Sequence, residues 1–278
     1  MKNHTSFRIG GSAGLFIEPE NEQQLSSVLE KCRSLSVEPF IIGNGSNLLV
    51  SDSGIEQPVI RLCGEFEKIM LVDETTVRVG AGATLVSLCR FALENSLSGL
   101  EFAYGIPGSV GGAAFMNAGA YGGEMKDVVE LCEHIGIDGK KGSFSKEDLS
   151  FGYRKSAYSE NKYIITFVTF KLKKGEKDEI EAKMNELLGR RKDKQPLSFP
   201  SAGSVFKRPE GYFAGALIEQ CGLKGKRTGG AMVSEKHAGF IVNAGAATCS
   251  DVKSLVEFCQ KTVFEKFGVR LETEIKMI

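Results

Sequence analysis

Clustered glycines are the feature that most constrains what this chain can fold into. The sequence has 33 glycines in 278 residues, and they concentrate at residues 10–14, 43–54, 99–123 and 222–230. Glycine adopts positive φ at little cost and lets backbones approach closely, so such clusters indicate sharp turns and tight backbone contacts. Chains make room for a large ligand in this way. The clusters at 43–54 and 99–123 are therefore the candidate binding loops.

Charge, hydropathy and cysteine usage narrow the class of protein. Lys and Arg total 35, as do Asp and Glu, which argues against a chain that coats nucleic acid or an anionic membrane. No apolar run approaches the ~20 residues of a membrane span, and the first residues lack the apolar stretch of a secretion signal. Cysteines without a C-x-x-C pair predict a cytoplasmic protein with reduced, buried thiols and no metal site. They are Cys32, Cys63, Cys89, Cys132, Cys221, Cys249 and Cys259.

Hydrophobic periodicity predicts a mixed α+β protein of about three small lobes. Helices are predicted over residues 22–34 and 251–267, the second with Ser250 as its N-cap. Strands are predicted over residues 163–171, 240–243 and 269–278. No internal repeat or long flexible linker interrupts this pattern.

The first candidate loop lies between two short apolar runs, at Gly43–Asn47. Its glycines allow successive backbone N–H groups to point into one concavity, which suits a phosphate or diphosphate. It matches neither the Rossmann fingerprint nor the Walker loop, because no G-x-G-x-x-G opens a helix and no Lys-Ser/Thr follows. An Asn/Gly hairpin turn is the alternative interpretation.

The second candidate loop spans residues 104–123. Pro107-Gly108 turns the chain, and residues 111–114 carry almost no side chain, so a flat ring or a diphosphate could touch backbone there. Two such loops in one chain favour one long cofactor lying across both. Close-packed helix and turn glycines are the alternative.

These loops and four further segments resemble one family in their order along the chain. The segments are TSFRIGG at 5–11, GNGSNLL at 43–49, the loop at 105–122, YRKS at 153–156, SAGSVF at 201–206 and LETEI at 271–275. Together they resemble the UDP-N-acetylenolpyruvoylglucosamine reductases, flavoenzymes that complete UDP-N-acetylmuramate for bacterial peptidoglycan. The short segment between Tyr163 and Gln195 resembles the class without an extra tyrosine-bearing loop.

The resemblance implies a two-lobed FAD-binding domain at 1–65 and 66–194, followed by an α+β substrate-binding domain at 195–278. It implies non-covalent FAD, NADPH as co-substrate, UDP-N-acetylglucosamine enolpyruvate as substrate, and a monomer. The first loop would hold the FAD diphosphate through Gly43, Asn44, Gly45, Ser46 and Asn47. The flavin and its ribityl chain would be lined by Gly105, Ile106, Pro107, Gly108, Ser109, Gly112, Asn117, Ala118 and Gly119.

The implied reaction delivers hydride from flavin N5 to the β-carbon of the enolpyruvyl group. Arg154 is expected to grip the carboxylate, because a guanidinium forks onto two oxygens and strengthens its grip as negative charge develops. Glu274 would help to stabilise the enol form, with Glu272 as the fallback. Ser204 would give the proton to the α-carbon; no Ser-His-Asp arrangement suggests an acylating nucleophile.

Each of these residues also has a plain structural interpretation: a solvated turn for Arg154, a Gly-Ser turn for Ser204, and a solvated strand face for Glu274. Substrate contacts are expected from Tyr153, Lys194, Arg208, Tyr212, Lys224 and His237, though the lysines could be surface charge and the histidine structural. Two competing functions share the glycine loops. One is another flavoenzyme of the same fold, such as an oxidase of a small alcohol or sugar, and the other is a nucleotide-binding module without a reaction.

Overall fold

The computed structural model describes all residues, Met1–Ile278, and these form two compact units. The terminal unit consists of Met1–Gly14, Gly45–Glu56 and Arg191–Ile278, and the central unit consists of Leu15–Asn44 and Gln57–Arg190. Each unit has a hydrophobic core of its own. The α+β class is confirmed, whereas the expected lobes at 1–65, 66–194 and 195–278 remain a prediction.

The helices are α1 (Glu22–Ser34), α2 (Leu85–Glu94), α3 (Val110–Phe115), α4 (Lys177–Lys194), α5 (Ala214–Gln220) and α6 (Cys249–Phe267). The strands up to the middle of the chain are β1 (Ala13–Ile17), β2 (Phe40–Ile42), β3 (Leu48–Leu49), β4 (Ile55–Arg61), β5 (Ile69–Leu71), β6 (Thr76–Gly80), β7 (Leu97–Ser98), β8 (Gly119–Ala120) and β9 (Gly123–Glu124). The remaining strands are β10 (Val129–Gly136), β11 (Lys141–Ser145), β12 (Tyr163–Lys171), β13 (Lys173–Lys174), β14 (Ser201–Ser204), β15 (Arg227–Thr228), β16 (Ala231–Val233), β17 (Phe240–Asn243) and β18 (Lys276–Met277).

A five-stranded sheet in the order β11-β10-β12-β6-β5 organises the central unit. Its middle strand β12 is buried almost continuously, and Val168 lies opposite Cys132 on one side and Val79 on the other, in antiparallel pairs. Because both faces of β12 are covered, its sequence is mostly apolar, with Thr166 and Thr169 as the polar residues between Tyr163 and Phe170, rather than strictly alternating. Thr84 caps the N-terminus of helix α2, and its hydroxyl accepts from the Ser87 N–H at 3.0 Å.

A four-stranded antiparallel sheet in the order β14-β17-β16-β15 organises the terminal unit. Helix α6 buries one stripe, formed by Val252, Leu255, Val256, Cys259 and Val263. The same core contains Phe7, Ile9 and Leu49 from the first part of the chain. The terminal unit is therefore discontinuous in sequence, and β18 completes it by pairing in parallel with β3.

Several expectations about local structure are wrong. The N-cap of α6 is Thr248, not Ser250, because Thr248 and Asp251 form a capping box in which each side chain accepts the other residue's N–H. The Ser250 N–H instead donates to the Asp52 carboxylate at 3.1 Å. The expected strand at 269–278 is reduced to β18, since residues 271–275 make only an isolated bridge.

The second glycine loop contains helix α3, which its high glycine content concealed. The seven cysteines are free, but Cys63 and Cys221 are half-exposed rather than buried. None of the helices combines the length and the apolar character that a membrane span requires.

Candidate active-site residues

The first glycine loop contributes three residues to the terminal unit: Gly45, Ser46 and Asn47. Gly45 has φ +59°, and a Cβ there would lie 2.2 Å from the His4 carbonyl oxygen, so this position requires glycine. The Asn47 side chain donates to the Glu274 carbonyl at 3.2 Å. The backbone N–H groups of these three residues donate to no group of the protein. Three consecutive available donors suit an anion such as a diphosphate.

In the central unit, Gly43 and Ser109 lie in close contact. A Cβ on Gly43 would lie 2.3 Å from the Ser109 hydroxyl oxygen. That hydroxyl caps helix α3 by accepting from the Gly112 N–H at 3.2 Å. The Ser109 hydroxyl therefore caps α3 and lies directly against Gly43.

The two glycines of α3 have different surroundings. A Cβ on Gly111 would lie 2.7 Å from the Ala81 Cβ, so Gly111 permits close packing of the helix on the chain that follows β6. A Cβ on Gly112 would meet only the Ser109 hydroxyl of its own cap, at 3.2 Å. The open backbone at Gly112 is thus the part of α3 that a flat ring could contact.

Asn117 is 1% exposed and has a left-handed backbone, with φ 43°. Its amide nitrogen donates to the Glu124 carboxylate at 2.9 Å and to the Gly152 carbonyl at 3.0 Å. Its amide oxygen accepts from the Lys126 N–H at 2.9 Å. The side chain expected to line the cofactor is therefore occupied by contacts within the central unit.

Arg154 lies at the tip of a two-residue turn. The N–H of Gly152 donates to the Lys155 carbonyl at 3.0 Å, and the N–H of Lys155 donates back to the Gly152 carbonyl at 3.3 Å. We call residues 152–155 the Arg154 turn. Arg154 has φ 58°, a left-handed conformation that costs a residue with a Cβ about 1–2 kcal/mol. Strain of this kind is maintained most often at functional positions.

Ser204 is presented by a β-bulge in the terminal unit. Ser201 pairs with Val242, and Ser204 pairs with Phe240, so strand β14 has one more residue than β17 over this stretch. Gly203 has φ +79° with open space around its Cβ direction. A bulge bends the strand and re-aims the side chain beside it. The half-exposed position of Ser204 follows from this bend.

Glu274 lies on the segment that runs beside Ser204. Its N–H donates to the Val205 carbonyl at 2.7 Å, which brings Glu274 next to the residue after the proposed proton donor. Glu274 is half-buried, whereas the Glu272 side chain is 75% exposed and forms an ion pair with Lys207 at 3.0 Å. Glu272, the alternative to Glu274, therefore belongs to an ion pair at the surface.

Five of the six expected substrate residues belong to the terminal unit, and Tyr153 belongs to the central unit. Lys224 pairs with Glu219 at 2.6 Å. The His237 ring nitrogen Nδ1 accepts from the Gly239 N–H at 3.1 Å, and burial is the largest influence that lowers the pKa of this imidazole. His237 is thus neutral and structurally engaged.

The remaining expected substrate residues lie closer to solvent. The Arg208 guanidinium stacks 4.0 Å from the centre of the Phe213 ring. Tyr153, Tyr212 and Lys194 are exposed. The sequence analysis gave no role to Glu124, which accepts from the Asn117 side chain, or to Ser156, whose hydroxyl donates to the Phe115 carbonyl, because these bonds link separate segments and leave no local pattern.

The observed donors and open backbone fit parts of FAD. The available N–H groups of residues 45–47 suit the negatively charged oxygens of its diphosphate. The open backbone at Gly112 leaves room for a flat ring. A family model described as FAD binding domain matches residues 13–140. The class of the protein is therefore that of FAD-binding proteins with a mixed α+β fold.

A second family model, the C-terminal domain of UDP-N-acetylenolpyruvoylglucosamine reductase, matches residues 195–278. The reductase of this name from Clostridium botulinum (strain 657 / Type Ba4) is 51% identical over 278 residues, covering 100% of this chain and 90% of the relative. That of Clostridium novyi (strain NT) is 47% identical over 280 residues, with the same coverage. The crystal structure of the Thermus caldophilus enzyme matches with a TM-score of 0.85 and 41% identity, covering 99% of this chain and 96% of that one. The chain belongs to the UDP-N-acetylenolpyruvoylglucosamine reductase family, which confirms the resemblance.

Proposed function

We propose that this protein reduces UDP-N-acetylglucosamine enolpyruvate to UDP-N-acetylmuramate, with FAD as cofactor and NADPH as the source of electrons. Family membership over the whole chain supports the reaction. The observation that supports a role for Arg154 in particular is its left-handed backbone, since strain of this kind clusters at functional positions.

The chain itself supplies binding, charge and a proton. When bound, FAD supplies the hydride chemistry. The half-buried Arg154 guanidinium binds the substrate carboxylate through two parallel hydrogen bonds. As negative charge moves onto that carboxylate, the charge-assisted bonds strengthen, so Arg154 stabilises the transition state more than the ground state.

Ser204 and Glu274 complete the reaction on the carbon skeleton. The Ser204 hydroxyl holds the proton that the α-carbon receives. A serine is a weak acid in water, but the carbon of an enolate is a strong base, so position governs the transfer. Glu274, held by its backbone beside Val205, stabilises the enol form at the same end of the substrate.

Gly43–Asn47 are proposed to hold the FAD diphosphate, with Gly45, Ser46 and Asn47 donating backbone N–H groups. The open backbone of Gly112 and the neighbouring turn at Gly105–Gly108 are proposed to contact the flavin. Ser109, Asn117 and Gly119 are proposed to shape this loop, because their contacts lie within the protein. Lys194, Arg208, Tyr212, Lys224 and His237, together with Tyr153, are proposed to meet the nucleotide sugar.

We further propose that the enzyme acts as a cytoplasmic monomer, consistent with its seven free cysteines. Light scattering of the purified protein at micromolar concentration should give a mass near 30.1 kDa. A mass near twice that value would contradict the monomer.

An anaerobic absorbance trace tests the reaction directly. NADPH is added first to the purified holoenzyme, and UDP-N-acetylglucosamine enolpyruvate second. The flavin band should bleach and then return. Bleaching without return would support a flavoenzyme that NADPH reduces but would contradict the proposed substrate. Absence of a flavin band after addition of FAD would contradict both glycine loops as cofactor sites.

A further inference from the structure

The Arg154 turn is connected to the second glycine loop by two side chains. Asn117 donates to the Gly152 carbonyl at 3.0 Å, at the residue where the turn begins. Ser156, which follows the turn and is 4% exposed, donates to the Phe115 carbonyl at 2.8 Å. Both bonds join the segment that ends α3 to the segment that presents Arg154.

Asn117 has no spare hydrogen for a ligand. One amide hydrogen bonds Gly152 and the other bonds the Glu124 carboxylate, while the amide oxygen accepts from Lys126. At 1% exposure, losing one of these bonds would leave a buried polar group unsatisfied, at a cost of about 1–3 kcal/mol. The geometry of this amide is therefore fixed by the protein around it.

Glu124 fixes the other side of that amide. It begins a short 3-10 turn by accepting the Asp127 N–H, and its carboxylate pairs with the Lys126 ammonium at 2.9 Å. The hydrogen bond from Lys126 is the largest influence that lowers the pKa of the Glu124 carboxyl, and the bond from Asn117 and the Arg154 charge act in the same direction. Glu124 is therefore ionised and lies within the electrostatic reach of Arg154.

We propose that Asn117 and Glu124 are positioning residues for Arg154: they hold the left-handed turn so that the guanidinium meets the substrate carboxylate. This inference rests on the proposed function, because it takes the carboxylate as the partner of Arg154. It replaces the expectation that the Asn117 side chain contacts the flavin. The turn needs such support because Arg154 itself disfavours the conformation it adopts.

The test compares two ligands that differ by the carboxylate. Binding of UDP-N-acetylglucosamine enolpyruvate and of UDP-N-acetylglucosamine to the oxidised holoenzyme is measured by calorimetry for wild type, Arg154→Ala, Asn117→Asp and the double variant. Asn117→Asp keeps the size of the side chain but removes both N–H donors and sets a carboxylate against Glu124.

We expect Arg154→Ala and Asn117→Asp each to weaken the binding of UDP-N-acetylglucosamine enolpyruvate about tenfold or more. The affinity for UDP-N-acetylglucosamine should be unchanged. The double variant should bind no more weakly than Arg154→Ala, since Asn117 acts through Arg154. Asn95→Asp is the matched control, because Asn95 also donates its amide to a backbone carbonyl, that of Phe91 at 2.8 Å.

Additive losses of affinity in the double variant, or equal weakening of the binding of both ligands, would overturn the inference. If Asn117→Asp does not fold, Glu124→Ala decides, because it removes the acceptor that fixes one side of the Asn117 amide. A few-fold loss confined to the enolpyruvyl ligand supports the proposal, and wild-type selectivity refutes it. Retained selectivity in Arg154→Ala would instead refute the proposed role of Arg154 itself.

Discussion

The two units hold their proposed catalytic side chains in different ways. In the central unit, Arg154 stands on a left-handed turn that depends on hydrogen bonds from the side chains of Asn117 and Ser156. In the terminal unit, Ser204 and Glu274 stand on segments joined by backbone hydrogen bonds. A site built from side-chain bonds can be disturbed by one remote substitution. A site built from backbone bonds is disturbed by changes to the backbone conformation or to the catalytic residue itself.

The two units also differ in charge. The terminal unit contains 16 Lys and Arg against 11 Asp and Glu, and the central unit contains 19 against 24. The balance of 35 against 35 over the whole chain conceals this difference. A net charge of zero therefore argues against a protein that coats nucleic acid or an anionic membrane. It does not decide whether one unit binds a diphosphate.

The largest effect is expected for Ser204→Ala. Loss of the hydroxyl should slow the return of the flavin band after substrate is added by about 10²- to 10⁴-fold, the usual contribution of a positioned proton donor. Bleaching by NADPH should be unchanged, because it does not need that proton. Ser201→Ala, on the same strand, is the control and should behave as wild type. Equal slowing of both half-reactions would remove Ser204 as the proton donor.

Substitutions of Arg154 separate its function from its strain. Arg154→Lys should slow the same half-reaction by about tenfold to a hundredfold, because lysine cannot fork onto the carboxylate. Arg154→Gly should lose at least as much activity yet raise the free energy of unfolding by up to about 1 kcal/mol, since glycine accepts the left-handed backbone. Stopped-flow absorbance and urea denaturation measure the two quantities. A less stable Arg154→Gly protein would show that the turn is not strained.

A matched pair of glycine substitutions tests the backbone support of Ser204. Gly203→Ala should lower the free energy of unfolding by about 1–2 kcal/mol, because its φ of +79° disfavours a Cβ although nothing lies within 4 Å. Gly189→Ala, which is equally uncrowded but lies within helix α4, should raise it by about 0.5–1 kcal/mol. Changes of opposite sign in the free energy of unfolding, measured by urea denaturation, would show that the backbone conformation of each glycine determines the effect of the added Cβ. Equal effects would contradict the bulge as the device that presents Ser204.

The smallest effect is expected from the buried His134 in the central unit and the half-buried His237 in the terminal unit. Burial lowers the pKa of His134 and of His237 from the ordinary value near 6.5. The unfolded chain therefore binds more protons than the folded protein below that pH, and the free energy of unfolding should fall as pH drops from 7 toward 5. Each histidine contributes at most about 1.4 kcal/mol per pH unit.

Replacing the histidines tests this slope. His134→Phe should reduce the slope of the free energy of unfolding against pH, and His237→Phe should reduce it further. Phe144→Leu, which alters a ring 4.7 Å from His134 without removing a titratable group, should lower stability and keep the slope. An unchanged slope in the variant lacking both histidines would assign the pH dependence to other groups.

The strongest local patterns in the sequence predict their elements well. Helix α1 and strands β12 and β17 have the bounds expected from periodicity alone, because their apolar residues recur over a full element. Helix α3 was concealed by Gly111 and Gly112, which disfavour helix locally. The helix forms because Ser109 caps it and Gly111 allows it to pack on Ala81. The last segment alternates like a strand, but most of it pairs only through isolated backbone bonds.

By itself, then, the sequence determined the α+β class, the two glycine loops and the ordered motifs of the reductase family, and it led to the proposal that Arg154, Ser204 and Glu274 act in the reaction. Tertiary structure alone decided the left-handed turn under Arg154, the Asn117 contacts that hold it, and the bulge before Ser204. It also decided that residues 1–14 and 45–56 join the terminal unit. Local sequence patterns reflect the backbone conformation that each residue prefers. The features named here either run against that preference or do not depend on it. They persist because hydrogen bonds and packing from distant parts of the chain outweigh the local cost.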